Sequence, residues 1–267
     1  MRLLMKNLRK TSSVKIICAL CAAVIGLCVL NHANIAGAAG IEERILRSWT
    51  RSGEFSEGSG LQYVVIKATY YSAEYIEALV RSEAEKNLWT KDEEDSYKYN
   101  LLKTLNLEEN IAFHIEFNVT GVPAYLQPFE RQLKLYAGRA VLEPVDYDKR
   151  FNFKLEGKRD GMVWFPRYDA KTGKNLLNGV KDLRLVISNT ITAATNRAGD
   201  VRFVWDITGD DPSVLRSGSA AARLELDRLI KRIDRLKADK KTLEEKLGAV
   251  NKELADIDSR VDELQRQ

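Results

Sequence analysis

Cysteine and histidine are scarce in this chain of 267 residues. All three cysteines (Cys18, Cys21 and Cys28) lie near the N-terminus, and His114 is the only histidine after residue 32. A chain that loses its N-terminal segment would form no disulfide and would depend on an ordinary hydrophobic core. A single histidine also argues against His-based metal sites and triads. We therefore expect no metal, no cofactor and no catalytic residue.

Acidic residues are absent before Glu42, whereas five basic residues precede the apolar run 16–30. The small-residue motif Ala36-Gly37-Ala38 follows. These are the three parts of a secretory signal. We predict a signal peptide over residues 1–38, cleaved after Ala38, and hence export to the periplasm or cell envelope of a bacterium. The alternative is a retained membrane anchor, because fifteen apolar residues fall just below a spanning length of about 17–25.

The net charge of +4 arises mainly from this leader. Without its five basic residues the chain has 37 basic and 38 acidic side chains, a net charge of about −1. A basic surface for nucleic acid is therefore not expected. Membrane contact is expected only through the leader, if the leader is not cleaved.

Residues 39–60 are polar and end in a Gly/Ser-rich run, which predicts a flexible connector. Two helices are predicted near residues 72–88 and 91–106. Ser72 can cap the first helix, and Thr90 with Glu93 has the spacing of a capping box at the start of the second.

Alternation of apolar and polar residues predicts strands in the remainder of residues 61–212. Turn residues such as Gly121-Val122-Pro123, 156–161 and 171–175 separate the strands. Seven or so short antiparallel strands indicate a mainly β fold, an antiparallel β-sandwich that is Ig-like in style, with the helical pair inserted after the first strand. The apolar positions that lead these strands are Leu61, Ile111, Phe113, Ile115, Phe117, Val119, Leu133, Leu135, Phe151, Phe153, Leu155, Leu183, Leu185, Ile187, Val201, Phe203, Trp205 and Ile207.

A heptad repeat runs from Ala222 to Leu264, which predicts a long C-terminal coiled-coil α-helix over residues 213–267. Eleven of its twelve a and d positions are apolar over six heptads. Gly248 falls at a b position and leaves the heptad phase unchanged, so no hairpin is expected there. The predicted interface consists of Leu226, Leu229, Ile233, Leu236, Lys240, Leu243, Leu247, Val250, Leu254, Ile257, Val261 and Leu264.

The charges beside this stripe favour one orientation. A parallel in-register pair would oppose like charges at three g–e′ positions, whereas an antiparallel pair matches opposite charges at five g–g′ and e–e′ positions. Lys240 would then face Leu243 of the other copy. We therefore predict an antiparallel dimer of this chain with itself. The alternatives are pairing with another envelope protein, a helix that packs on its own β-domain, and a solvated helix with no partner.

Other candidate sites in the sequence are weaker. Gly173-Lys174 lacks the remainder of a phosphate-binding loop, and a hairpin turn is the simpler interpretation. The aspartates of turns (Asp146, Asp148, Asp160 and Asp169) match no calcium loop. A possible binding surface is predicted at Trp164, Arg167 and Tyr168, where one aromatic ring of a strand could be exposed beside a cation.

Together these patterns predict a non-enzymatic exported protein. A β-sandwich module carried by a self-associating coiled coil would act in scaffolding, assembly or partner binding. The alternative is a ligand- or carbohydrate-binding sandwich that the coiled coil merely oligomerises. A hydrolase that uses carboxylates alone ranks third.

Overall fold

The computed structural model describes residues 40–58, 60–126 and 128–266. The predicted signal peptide over residues 1–38 and its cleavage site lie outside the described residues. The chain divides into two compact units, of which the first ends at Leu215 and the second covers Arg216–Gln267. We refer to residues 40–215 as the β-domain.

Nine strands of the described residues form two antiparallel sheets in the β-domain. The larger sheet has the order β1-β2-β3-β7-β6, and the smaller has the order β5-β4-β8-β9. The strands are β1 (Thr50–Ser56), β2 (Gln62–Tyr70), β3 (Asn110–Ala124), β4 (Leu133–Ala137), β5 (Ala140–Leu142), β6 (Asp146–Tyr147), β7 (Leu155–Pro166), β8 (Asp182–Ile187) and β9 (Val201–Asp206).

Four α-helices and four short 3-10 turns complete the described structure. The helices are α1 (residues 40–48), α2 (Ala73–Asn87), α3 (Lys91–Leu105) and α4 (Ser219–Gln265). The 3-10 turns are Phe129–Gln132, Lys149–Asn152, Asn189–Ile191 and Pro212–Arg216.

The inward side chains of both sheets form one hydrophobic core. Phe113 of β3 is fully buried, and its ring centroid lies 5.2 Å from that of Trp205 on β9, in the other sheet. The indole nitrogen of Trp205 donates a 2.8 Å hydrogen bond to the carbonyl of Trp49. The alternation predicted for β3 is confirmed, because Ile115 is buried whereas His114 faces the opposite side and is half-buried. The two sheets are thus held together by apolar burial rather than by disulfides.

Helices α2 and α3 are inserted between β2 and β3, and both have the predicted caps. The Ser72 hydroxyl accepts a hydrogen bond from the backbone of Tyr75. At α3 the Thr90–Glu93 capping box is present in both directions. Such caps satisfy N–H groups that have no partner within the helix. The carboxylate of Glu77 on α2 accepts a hydrogen bond from the ammonium of Lys98 on α3, which ties the two helices together.

The structure corrects the prediction of a flexible connector over residues 39–60. Residues 40–48 form helix α1, and β1 pairs with β2 along its whole length, from Thr50 opposite Thr69 to Ser56 opposite Tyr63. The Gly/Ser composition of β1 has a local cause. A Cβ atom on Gly53 would lie 2.8 Å from the ring of Phe55, which packs against the core. Glycine at this position makes room for an aromatic ring of the same strand.

Three further local predictions differ from the structure. Phe151 lies in a 3-10 turn and Phe153 is exposed, so neither leads a strand. Residues 156–161 belong to β7 rather than to a turn. Gly161 is required there because a Cβ atom would lie 2.6 Å from the Cβ of Asp148. Residues 121–123 form an irregularity inside β3.

The expectation of a mainly β fold is met only in part. Helices make up 45% and strands 30% of the residues that the structure describes, and the largest helical contribution is the single helix α4. The part of the chain that the structure describes contains no helix both long enough and apolar enough to cross a membrane.

Candidate functional site

Helix α4 is continuous over 47 residues. Its composition is dominated by leucine, alanine, lysine, arginine and glutamate, which are strong helix formers. At about 1.5 Å per residue it is about 70 Å long. The helix passes through Gly248 without a break, as the unchanged heptad phase predicts. Gly218 precedes the helix with φ +91°, a conformation that favours glycine.

The predicted apolar positions of α4 form one exposed stripe. All eleven are between 44% and 64% exposed, although leucine, isoleucine and valine are usually buried. We call these side chains the heptad stripe. They are Leu226, Leu229, Ile233, Leu236, Leu243, Leu247, Val250, Leu254, Ile257, Val261 and Leu264.

One apolar residue beside the stripe was missed by a strict count of a and d positions. Ile230 occupies an e position and is 47% exposed. It lies four residues after Leu226 and three before Ile233, which is the ordinary spacing of one helix face. An i, i+3, i+4 search would have found it. Ile230 therefore widens the heptad stripe near its N-terminal end.

Ion pairs along the flanks of α4 are local and exposed. Glu225 pairs with Arg228 at 3.5 Å, and Arg260 pairs with Glu263 at 2.9 Å. Exposed pairs of this kind contribute at most about 1 kcal/mol each. They leave the charged groups available for rearrangement when another helix approaches.

Lys240 is the polar residue within the row of a positions. Its ammonium lies 3.5 Å from the carboxylate of Glu244, an e position one turn further along. A lysine can place its apolar stem over a helix interface while its charge reaches the edge. The contact with Glu244 draws the charge toward that edge.

The structure does not present Trp164, Arg167 and Tyr168 as one exposed surface. Trp164 lies on β7 and is half-buried, whereas Tyr168 follows the strand and is 43% exposed. Arg167 is only 7% exposed, and its Nε donates to the carbonyl of Asn110 at 3.4 Å. The Arg167 guanidinium is therefore directed into the protein, where its charge acts on the polar groups of Tyr70 and Asp210.

Those groups form a buried polar cluster near the end of β2. The Tyr70 hydroxyl donates a 2.8 Å hydrogen bond to one carboxylate oxygen of Asp210. The other oxygen accepts a 2.8 Å hydrogen bond from the backbone N–H of Ala73, at the start of α2. Asp210 thus fastens the segment after β9 to β2 and α2. This long-range contact has no signature in the sequence.

Burial dominates the titration of this cluster. It raises the pKa of Asp210 above 3.8, although the hydrogen bonds from Ala73 and Tyr70 and the charge of Arg167 oppose that rise. Burial also raises the pKa of Tyr70 well above 10.0, and the charge of Asp210 adds to the rise. Asp210 and Tyr70 both have a structural role, since the hydrogen bond between them joins distant segments of the chain.

The remaining polar candidates are engaged in local contacts. Nε2 of His114 lies 2.9 Å from a carboxylate oxygen of Asp160 on the neighbouring strand β7. Asp148 pairs with Arg150 at 2.6 Å. Asp169 accepts hydrogen bonds from the backbone of the 171–175 turn, which is present as predicted. Over residues 40–58, 60–126 and 128–266, no group of three or more metal-ligating side chains could hold a metal ion.

The heptad stripe is therefore the clearest candidate site, because its eleven apolar side chains are about half exposed. Comparisons of the chain with protein-family models, with curated proteins and with solved structures found no significant match.

Proposed function

We propose that this protein is a non-enzymatic exported envelope protein whose Ig-like β-sandwich is carried by a self-associating coiled coil. The two antiparallel sheets of the β-domain support the proposed β-sandwich, and the coiled coil would form through α4. Its role is assembly or scaffolding in the envelope. The observation that carries the proposal is the exposure of all eleven side chains of the heptad stripe.

Burial of the heptad stripe would supply enough free energy for a stable dimer. Each side chain is about half exposed, and full burial of such a residue stabilises by about 1.5–3 kcal/mol. Covering the remaining half on eleven side chains of each copy is worth on the order of 20 kcal/mol. This exceeds an association cost of about 4–15 kcal/mol. A second copy is the simplest occupant because it brings a stripe of identical length and spacing.

Light scattering on the exported chain tests self-association directly. The unmodified protein is expected to have twice the mass of one chain. A variant with Leu236→Lys and Leu247→Lys places two charges in the stripe and is expected to have the mass of one chain. A matched control with Ala238→Lys and Ala249→Lys adds the same charge at f and c positions, outside the stripe, and is expected to remain dimeric.

Two results would contradict the proposal. Self-association fails if the unmodified protein has the mass of a single chain. The assignment to the stripe fails if both double variants dissociate equally. Mass spectrometry of the same purified protein tests export, because cleavage after Ala38 leaves Ala39 as the first residue.

A further inference from the structure

We propose that two copies of α4 pair antiparallel, with Lys240 of each level with Leu243 of the other, and that the dimer is a connector with one β-domain at each end. This inference rests on the proposed self-association and adds its orientation, its register and its consequence. The second copy is the committed occupant of the heptad stripe.

Charge complementarity sets the orientation. A parallel in-register pair brings each g residue beside the e residue five positions on in the other copy. That arrangement opposes Arg232 to Lys237 and Asp239 to Glu244, and so it is repulsive. Glu253 would likewise face Asp258.

The antiparallel arrangement replaces these contacts with attractive ones. In it g positions face g positions and e positions face e positions. The matched pairs between the two copies are Glu225 with Arg260, Arg232 with Glu253, Asp239 with Lys246, Lys237 with Glu244, and Arg223 with Asp258.

The observed ends of the helix are compatible with this register. When Lys240 is level with Leu243, Ser219 of one copy is level with Leu264 of the other. The helix spans Ser219–Gln265, so this register overlaps the two copies along nearly their whole length. A shift by one heptad that sets Leu226 level with Leu264 would also cover the stripe. That shift opposes Arg232 to Arg260 and Asp239 to Glu253, so like charges disfavour it.

The contact between Lys240 and Glu244 fits the centre of such a dimer. Lys240 would otherwise place a charge against the apolar Leu243 of the second copy. Its ammonium lies 3.5 Å from Glu244, at the edge of the interface. Lys237 of the second copy would approach the same carboxylate, since e faces e. Each Glu244 carboxylate would thus be shared between Lys240 of its own helix and Lys237 of the other copy, and this polar layer can fix the register.

The arrangement separates the two β-domains. Each is joined to the first turn of its α4 by a few residues, because the β-domain ends at Leu215 and the helix begins at Ser219. The two Ser219 ends lie about 65–70 Å apart along the rod at about 1.5 Å per residue. The proposed dimer therefore joins its two β-domains to opposite ends of one rod. A parallel dimer would instead place both β-domains at the same end.

Site-specific cross-linking tests the orientation. The background is the full chain with Cys18→Ala, Cys21→Ala and Cys28→Ala, so that no native thiol reacts. Leu226→Cys and Ile257→Cys are made in separate chains, because these positions are level in the proposed register. A disulfide-linked dimer is expected only when the two variants are mixed, unfolded, refolded and oxidised. Each variant alone is expected to stay unlinked, since its two thiols would lie about 46 Å apart.

The outcomes separate this inference from the proposed function. Efficient linkage of each variant to itself overturns the antiparallel arrangement while self-association stands. If the unmodified protein has the mass of a single chain in light scattering, both the antiparallel arrangement and self-association are overturned. Charge reversal gives a second readout: Glu225→Arg alone is expected to weaken dimerisation about 3- to 10-fold, and addition of Arg260→Glu is expected to restore it. Failure of the second change to restore affinity would contradict the register.

Discussion

The β-domain and helix α4 contain the same apolar residue types, but these residues are buried in the β-domain and exposed on α4. Leu133, Leu135 and Ile115 in the β-domain are fully buried, whereas the heptad stripe of α4 is about half exposed throughout. The β-domain buries its apolar residues within one chain, because two sheets face each other across a shared core. A single amphipathic helix has no second layer of its own. The difference supports the proposal that α4, rather than the β-domain, provides the surface for a partner.

The charged residues of the two regions differ in the same way. On the outer face of the larger sheet, Glu116 lies between Lys67 and Lys158, at 3.3 and 2.8 Å, so its partners come from neighbouring strands. On α4 the pairs join residues three or four positions apart. Cross-strand pairs depend on the folded sheet, whereas the local pairs of α4 need only the helix. Substitutions should therefore act on folding in one region and on association in the other.

The largest expected effect comes from alanine substitution of Phe113. This ring is fully buried and contacts the rings of Tyr70, Phe165 and Trp205. Its loss should lower the free energy of unfolding of the β-domain by about 3–5 kcal/mol. Urea unfolding followed by tryptophan fluorescence measures it, because all four tryptophans precede residue 206.

Leu236→Ala is the matched change on α4. Leu236 is 57% exposed, so this variant should leave the fluorescence transition unchanged and should weaken dimerisation instead. A comparable loss of β-domain stability from both variants would show that the two regions are not independent.

A smaller effect is expected from Gly121→Ala within β3. Gly121 has φ +89°, and a Cβ atom would lie 2.1 Å from the carbonyl oxygen of Leu61. The substitution should destabilise the β-domain by about 3 kcal/mol, because strain and a backbone clash combine. Gly157→Ala is the matched control, since Gly157 has φ +68° but nothing within 4 Å of a Cβ. It should cost about 1–2 kcal/mol, and equal losses would contradict the role of the clash.

The sequence predicts a segment well where one local period decides its structure. The two-residue period of β3 identified its buried face, and the 3.5-residue period of α4 located a helix that passes Gly248 unbroken. Both patterns arise because a regular element buries or pairs one face. The exposure of the heptad stripe follows from the same pattern, but only the structure shows it.

The sequence fails where a distant contact decides the structure. Residues 52–58 have the composition of a linker, yet β1 is a strand because β2 supplies its hydrogen bonds. Residues 156–161 have the composition of a turn, yet they belong to β7, where the absence of a Cβ at Gly161 leaves room for Asp148. Arg167 is buried because its partners come from other segments of the chain. None of these contacts has a fixed spacing along the chain.

A still smaller effect should appear in the pH dependence of the β-domain. Burial raises the pKa of Asp210 above 3.8, so its stabilising contribution is complete below about pH 4 and is lost as the pH rises through the folded-state value. Asp210→Asn should remove this loss, so the free energy of unfolding of the variant should rise relative to that of the unmodified chain as the pH increases from 4 to 7. Urea unfolding across this range measures the difference.

Glu116→Gln provides the opposite sign. Burial alone would raise the pKa of Glu116, but hydrogen bonds from Lys158 and Lys67 lower it overall from 4.5. Its contribution is therefore present above about pH 4.5 and is lost as the pH falls. The variant should be less stable than the unmodified chain near pH 7, and the difference should vanish in acid. The same sign of pH dependence for both variants would contradict these assignments.

Helix α4 offers the mildest test of its independence from the β-domain. Gly248 lies inside the helix with nothing within 4 Å of a Cβ, so Gly248→Ala adds no contact and removes the entropic cost of glycine. The helix should gain about 1 kcal/mol, seen as a higher midpoint in the thermal loss of far-ultraviolet circular dichroism. The tryptophan fluorescence transition of the β-domain should stay unchanged, because Gly248 lies in the other unit. Dimerisation should strengthen at the same time, since a helix that is already formed loses less entropy on pairing. A shift in the fluorescence transition, or a weaker dimer, would contradict the view that α4 folds and associates apart from the sheets.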